Sequence, residues 1–221
     1  IIEAIKCSNE ISRVYLIKSN NHKSNLFKSL IGLLENNNIK YSFVPKEKFK
    51  KYNDKNHQGA VAVLSPIKLL SIEELLSATF DKKSPKTYVL LDGITDTRNF
   101  GAIIRTAVAS SVDGIVIPQN NSAPVNSDVV KTSSGGVFKI PIARVNNIKD
   151  AILHLNSLEI NIISLSEKGE KTIYDYNFKE TNAIIMGSEE KGISKGVLSL
   201  SNEILKIPID SKIDSLNVSS A

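Results

Sequence analysis

The sequence has few of the residues that build disulfide, metal or membrane-spanning proteins. Its 221 residues include one cysteine, Cys7, and no tryptophan. A single cysteine excludes an internal disulfide framework and favours a reducing compartment, so we expect a cytoplasmic protein. Three histidines are scattered without the paired spacing of metal ligands, and we expect no metal. No run approaches the roughly 18 apolar residues of a membrane helix, and the charged opening IIEAIKCSNE is not a secretory signal, so we expect no membrane partner.

Positive charge is concentrated near the start of the chain. The net charge is +5, but residues 1–66 hold 11 Lys/Arg against 5 Asp/Glu, whereas residues 67–221 hold 17 against 18. This asymmetry favours an N-terminal part that meets a polyanion such as RNA. The alternative is a lysine-rich surface that is merely solvated.

A basic cluster with two aromatic residues lies within this first part. Phe49 and Tyr52 could stack a base between lysines that contact phosphates, or they could pack inward. We expect core packing for Phe49 and phosphate contact for some of the lysines. The candidate RNA-binding residues are Lys46, Lys48, Lys50, Lys51 and Lys55.

The order of strand-like and helix-like segments predicts two α/β parts. Residues 1–66 read as a small α/β domain with a parallel or mixed sheet. Residues 67–86 are predicted to be a linker, which includes a helix that the capping box Ser71-Ile72-Glu73-Glu74 begins. In residues 87–221, short apolar strands alternate with helices, which predicts a parallel sheet with ligands bound beyond the carboxyl ends of its strands. The strands are expected at 87–91, 114–117, 160–164, 183–186 and 205–209, and the helices at about 101–111, 148–156 and 192–201.

Three segments with unusual composition follow predicted strands, at 91–107, 184–193 and 207–221. In the first, Asn99 and Gly101 are expected to make a turn, and Arg105 then lies in an apolar helix. A long cation there must be paired or point into a cleft. One interpretation is a structural ion pair with Asp92 or Asp96, and the other is an active-site arginine. Neither a Walker loop nor a GxGxxG fingerprint nor a GxSxG elbow is present.

Together these segments resemble the signature motifs of the SpoU (TrmH) family, within the SPOUT class of methyltransferases. The first motif is Asn99-x-Gly101-x-x-x-Arg105, the second is Gly187-Ser188-Glu189-x-x-Gly192, and the third is Ile207-Pro208 followed by Ser215-Leu216-Asn217-Val218-Ser219. Their order and spacing agree with the family over residues 87–221.

The resemblance implies an S-adenosylmethionine-dependent RNA ribose 2′-O-methyltransferase without a metal, whose sheet domain ends in a trefoil knot and acts as a homodimer. Arg105 would activate the ribose 2′-hydroxyl. The remaining catalytic candidates, expected to position Arg105, the RNA phosphate and the methyl donor, are Asn99, Glu189, Ser215 and Asn217. The residues expected to contact the cofactor are Gly187, Ile207 and Leu216.

The first part of the chain resembles the ribosomal-protein-like substrate-binding domain of many members, on its alternation and on the run Gln-Gly-Ala-Val-Ala at 58–62. Members with this domain most resemble the bacterial enzyme that methylates a guanosine ribose in 23S rRNA. The alternatives are a tRNA methyltransferase and a non-enzymatic RNA-binding module for ribosome assembly.

Three features depart from the family pattern. Thr97 replaces a common Pro, and Glu190 replaces a common small residue and adds negative charge near the pocket. Members usually continue beyond the position of Ala221 into a helix that supports the knot and the dimer, so we expect the natural chain to be longer.

Overall fold

The structure is a computed structural model that describes residues 1–2, 5, 11–18, 25–52, 57–64, 67–81, 84–210, 212 and 216–220. The chain divides into two compact units. The first unit is Ile1–Lys68 with Pro124–Asn126, and the second is Leu69–Ala123 with Ser127–Ala221. No helix in the described ranges combines the length and the apolar character that crossing a bilayer requires.

The first unit is a small α/β fold with a mixed sheet, as the sequence predicts. Within the described residues, strand β1 lies in the middle of the sheet, parallel to β2 and antiparallel to β3. Helix α1 packs Leu30 and Leu34 against Val14 and Leu16 of β1. The elements are β1 (Ile11–Ile17), α1 (Asn25–Asn36), β2 (Tyr41–Val44), a 3-10 helix (Lys46–Tyr52) and β3 (Ala60–Leu64).

The second unit begins with helix α2 (Ile72–Thr79), which lies in the segment predicted to be a linker. Its capping box is confirmed, because the Ser71 hydroxyl accepts from Glu74 N at 3.1 Å and the Glu74 carboxylate accepts from Ser71 N at 2.9 Å. Its apolar residues are buried in the core of this unit, where Leu75 fills the space beside Gly114. Residues 69–79 therefore form part of a packed unit.

The core of the second unit is a parallel sheet with helices on its faces. Among the described residues, seven strands pair in the order β6-β5-β4-β9-β7-β10-β8, and each of these pairings is parallel. Burial raises the pKa of Tyr88 in β4, whose hydroxyl lies 2.9 Å from the Thr79 hydroxyl. The elements after α2 are β4 (Thr87–Asp92), α3 (Thr97–Ala109), β5 (Gly114–Pro118), α4 (Ser127–Thr132), β6 (Ile142–Val145), α5 (Ile148–Ser157), β7 (Asn161–Leu165), β8 (Lys171–Thr172), β9 (Asn182–Gly187), α6 (Lys195–Leu198) and β10 (Glu203–Lys206).

Some element boundaries differ from the sequence expectation. The last predicted strand begins two residues earlier, at Glu203, because β10 pairs there with β7. The predicted helix at 192–201 shortens to α6, since Ile193 is buried and Ser194 is extended. Strand β6 and helix α4 were not predicted, because they are short and have little apolar periodicity. The trefoil knot stays a prediction.

Candidate functional site

Two of the three motifs follow neighbouring central strands at the carboxyl edge of the sheet. β4 ends at Asp92 and β9 ends at Gly187, and these two residues are partners in the register of the parallel pair. Because parallel strands bring their carboxyl ends to the same edge, the segments that follow them emerge side by side. Gly93 has a φ of +83°, and a β-carbon there would lie 3.7 Å from the Ser188 side chain.

The first motif lies inside helix α3, and the expected turn at Asn99 and Gly101 is wrong. The helix begins at Thr97, because the Asp96 carboxylate accepts from Arg98 N at 2.8 Å and from Asn99 N at 2.9 Å. A carboxylate at this position satisfies the free N–H groups of the first turn. The glycine is needed for packing instead, since a β-carbon on Gly101 would lie 1.8 Å from the Thr132 hydroxyl of α4.

The second motif forms a tight turn, residues 187–193, which we call the Gly187 turn. Gly192 has a φ of +61°, and its N–H donates to Ser188 O at 2.7 Å. The Ser188 hydroxyl accepts from Lys191 N at 3.2 Å. A β-carbon on Gly187 would lie 2.2 Å from the Gly192 carbonyl carbon. The backbone at the start of the turn therefore packs directly against the backbone at its end. The turn therefore requires glycine at 187 for space, and glycine at 192 adopts its positive φ without steric cost.

In the described part of the chain the third motif comprises Ile207, Pro208 and Leu216 to Ser219; Ser215 lies outside the described residues. The Asn217 carbonyl oxygen Oδ1 accepts from Ser219 N at 2.9 Å and from the Ser219 hydroxyl at 2.5 Å. These bonds orient the Asn217 amide, so that its Nδ2 atom points away from its own turn.

The Asn217 side chain joins all three motifs. Its Nδ2 atom donates to Asn99 Oδ1 at 3.3 Å and to Glu189 Oε1. The same Glu189 oxygen lies 3.4 Å from Val218 N, which donates to it. Asn99 and Asn217 are 118 residues apart in the chain. The structure thus brings together three of the five residues predicted to be catalytic.

Two cavities adjoin this hydrogen-bonded group. The larger cavity has a volume of about 410 Å³ and is lined by Gly187, Ile207 and Leu216, the three residues predicted to contact a cofactor. The smaller cavity, of about 380 Å³, is lined by Asn99 and by parts of the loops after β4 and β9. Both volumes fall in the range of roughly 300–1,000 Å³ that small-molecule sites occupy. The residues common to both linings are Ser188, Glu189, Glu190, Lys191 and Val218.

Sequence reasoning missed several lining residues. Met186, the next-to-last residue of β9, and Leu165, the last residue of β7, give the larger cavity apolar surface. Asn121 reaches the smaller cavity from the loop after β5. The common signal is position: each residue lies near the carboxyl end of a strand or in the loop after it, at the edge where α/β sheets bind ligands.

Arg105 is exposed on α3 and lines neither cavity. Within the described ranges no ion pair joins it to Asp92 or Asp96, so the interpretation of Arg105 as the partner of these carboxylates is wrong. Asp92 instead accepts a hydrogen bond from Ser194 N at 2.9 Å, and Asp96 caps α3.

The candidate RNA-binding lysines follow β2 in the first unit. Lys46, Lys48 and Lys50 are exposed on the 3-10 helix. The Lys51 side chain and the whole of Lys55 lie outside the described residues. The prediction for Phe49 is confirmed: it is 2% exposed, and its ring centroid lies 4.9 Å from that of His57 and 6.3 Å from that of Tyr52. Phosphate contact by the lysines stays a prediction.

Comparison with known proteins matches each of the two parts of the chain to a protein family. Residues 86–221 match the SpoU rRNA Methylase family, and residues 1–70 match the RNA 2′-O ribose methyltransferase substrate binding family. The chain belongs to the SpoU methylase family. The resemblance carried by the three motifs is thereby confirmed, and the chain is an RNA methyltransferase of that family.

Individual relatives agree with this family. An uncharacterized tRNA/rRNA methyltransferase of Mycoplasma pneumoniae is 34% identical over 224 residues, which span 100% of this chain and 89% of that protein. The 23S rRNA (guanosine-2′-O-)-methyltransferase RlmB of Vibrio vulnificus is 33% identical over 166 residues, 75% of this chain and 67% of the relative. The SpoU methyltransferase AviRb of Streptomyces viridochromogenes, solved in complex with AdoMet, shares the fold with a TM-score of 0.63 and 19% identity, covering 99% of this chain and 81% of the other.

Proposed function

We propose that this protein transfers a methyl group from S-adenosylmethionine to a ribose 2′-hydroxyl of RNA, at a guanosine of 23S rRNA, and that it acts as a homodimer. The observation that carries the proposal is the hydrogen-bonded group of Asn99, Asn217 and Glu189 between two adjoining cavities. The name of the Vibrio vulnificus relative supports the guanosine target. The substrate-binding match at residues 1–70 supports RNA as the substrate.

The larger cavity fits S-adenosylmethionine in size and in chemistry. Leu216 and Ile207 are half-buried and give apolar surface for a purine, while the Gly187 turn presents backbone N–H and C=O groups. When bound, the cofactor supplies a methyl group on a positively charged sulfonium. Carboxylates outnumber cations in the lining, which favours a cationic ligand. The charged lining residues are Glu167, Glu189, Glu190 and Lys191.

The smaller cavity suits the ribose of the target nucleotide. Its lining includes the amides of Asn99 and Asn121 and the carboxylates of Asp96 and Glu189, all of which can bond sugar hydroxyls. Glu189 Oε1 already accepts from Asn217 and Val218 N, so this oxygen fixes the third motif in place. We assign Asn99, Glu189 and Asn217 to orienting the 2′-hydroxyl towards the larger cavity, which is the positioning contribution to a transfer reaction.

We place Arg105 in the site of the partner protomer. The arginine lies on the exposed side of α3 and lines neither cavity of its own chain, so a second copy can bring it to a ribose. Its guanidinium stays protonated, and it would stabilise the negative charge that develops on the 2′-oxygen as the proton leaves. We propose Ser215 as a further positioning residue, from its place in the third motif.

The decisive experiment analyses RNA from a strain that lacks this protein. Digested 23S rRNA from that strain should lack one 2′-O-methylguanosine that mass spectrometry finds in the parent strain. Purified protein should transfer the labelled methyl group of S-adenosylmethionine to that rRNA and so restore the modification. Loss of the modification from tRNA instead would establish the tRNA alternative, which the name of the Mycoplasma pneumoniae relative also covers. An unchanged set of methylated nucleosides, with no affinity for the cofactor in calorimetry, would favour the non-enzymatic RNA-binding alternative.

A further inference from the structure

Asp92 ends the central strand β4 but lines neither cavity. Its Oδ2 atom accepts from Ser194 N at 2.9 Å, which joins residues 102 positions apart. Ser194 directly follows the Gly187 turn, and its own hydroxyl makes no bond to the first turn of α6. A carboxylate that accepts from a backbone N–H makes a stronger hydrogen bond than a neutral group does. The first motif segment is thereby bonded to the chain just beyond the second motif.

This bond closes the Gly187 turn at its far end. The near end is fixed, because Gly187 is the register partner of Asp92 in the sheet. At the far end, Ile193 is buried in the core and Ser194 N is held by the Asp92 carboxylate. Both ends of the turn therefore lie beside the same residue of β4: Gly187 is its register partner in the sheet, and Ser194 N is hydrogen-bonded to its side chain.

We propose that Asp92 is a positioning residue that holds the Gly187 turn in the conformation that binds S-adenosylmethionine; this inference rests on the proposed function. The turn lines the larger cavity with bare backbone and carries Glu189, which bonds Asn217. A turn that is already ordered loses less conformational entropy when a ligand binds. Without the carboxylate, part of the binding free energy is spent on ordering the turn.

The same strand offers a matched control at its other end. Asp113 Oδ2 accepts from Thr87 N, also at 2.9 Å, and its carboxylate pairs with Lys86 at 3.3 Å. Thr87 and Asp92 are the first and last residues of β4, about 17 Å apart in an extended strand. Asp113→Ala thus removes a carboxylate–backbone bond of the same length far from both cavities.

The experiment measures the binding of S-adenosylmethionine alone by calorimetry, and the unfolding temperature without ligand, for the full chain and three variants. Asp92→Ala should raise the dissociation constant about tenfold, by the ordering cost of the turn. Asp92→Asn, which keeps an acceptor oxygen, should stay within about threefold of the wild type. Asp113→Ala should lower the unfolding temperature at least as much as Asp92→Ala but leave the dissociation constant unchanged.

Two results would overturn the inference while the proposed function stands: wild-type affinity in Asp92→Ala, or an equal loss of affinity in Asp113→Ala. The second result would make the loss a general consequence of lower stability. If the wild type itself does not bind S-adenosylmethionine, by calorimetry and by equilibrium dialysis with the labelled cofactor, the proposed function fails, and the assignment of Asp92 fails with it.

Discussion

The two units of this chain differ in their charge and in the candidate sites that they contain. The surplus positive charge lies within residues 1–66, where Lys46, Lys48 and Lys50 are exposed on one short helix. Residues 67–221 carry no such surplus, and they hold both cavities and the joined motifs. Electrostatic attraction acts over a Debye length of about 8–10 Å, whereas methyl transfer depends on atomic positions. RNA affinity and turnover should therefore respond to different substitutions.

The largest difference between the effect on turnover and the effect on RNA affinity is expected for Arg105→Ala. Turnover should fall about a hundredfold to a thousandfold, because the charge that we propose stabilises the reacting oxygen is lost. The unfolding temperature and the affinity for RNA should hardly change, since the side chain is exposed. Single-turnover methyl transfer to rRNA measures the effect, and Lys131→Ala, another exposed cation of the second unit, is the control. Full turnover in Arg105→Ala would contradict the assigned role.

Gly187→Ala should abolish most of the cofactor affinity. The new β-carbon would lie 2.2 Å from the Gly192 carbonyl carbon, so the Gly187 turn must shift. We expect the dissociation constant for S-adenosylmethionine to rise about a hundredfold in calorimetry, roughly 3 kcal/mol. RNA affinity should stay within a factor of about two.

The control for Gly187→Ala lies in the first unit. A β-carbon on Gly32 in helix α1 would meet no atom within 4 Å. Gly32→Ala should stabilise its helix by about 0.5–1 kcal/mol and leave cofactor binding unchanged. Equal cofactor affinity in the two alanine variants would show that the backbone contact in the Gly187 turn does not shape the site.

Replacing Lys46, Lys48 and Lys50 together by alanine should weaken RNA binding about tenfold near physiological salt. The plot of log K against log salt concentration has a negative slope, and each lost phosphate contact should make that slope shallower by about 0.7–0.9. Affinity for S-adenosylmethionine should not change. Filter binding of 23S rRNA over a salt series measures both the affinity and the slope.

The control is the replacement of three exposed lysines of the second unit by alanine, at Lys149, Lys168 and Lys179. An equal loss in both triple variants would contradict the division of charge.

The smallest effect is expected for Phe49→Leu. Because Phe49 is buried, the change should cost about 1 kcal/mol of unfolding free energy and leave RNA affinity within a factor of about two. A loss of RNA affinity with unchanged stability, measured by denaturant titration, would show instead that the ring stacks on a base.

Local patterns sufficed for several parts of the fold. The Ser71 and Glu74 pair predicts the start of α2 because capping involves atoms three residues apart. The apolar runs that became β4 and β9 were predictable because strands buried on both faces need apolar residues throughout. Gly101 shows what local sequence patterns cannot predict. A glycine beside Asn99 suggested a turn, but the reason for it is Thr132 on another helix, which no local pattern contains.

The sequence by itself determined the family, the parallel α/β class of the second unit, and the residue types of the site, because these depend on order and spacing along the chain. Only the tertiary structure decided which of those residues touch. Asn99 and Asn217 are 118 residues apart and meet through one hydrogen bond. Asp92 accepts a hydrogen bond from the backbone beyond the Gly187 turn, and Arg105 is exposed. The physical reason is that a parallel sheet gathers the ends of distant strands at one edge, and side-chain contacts there depend on strand order.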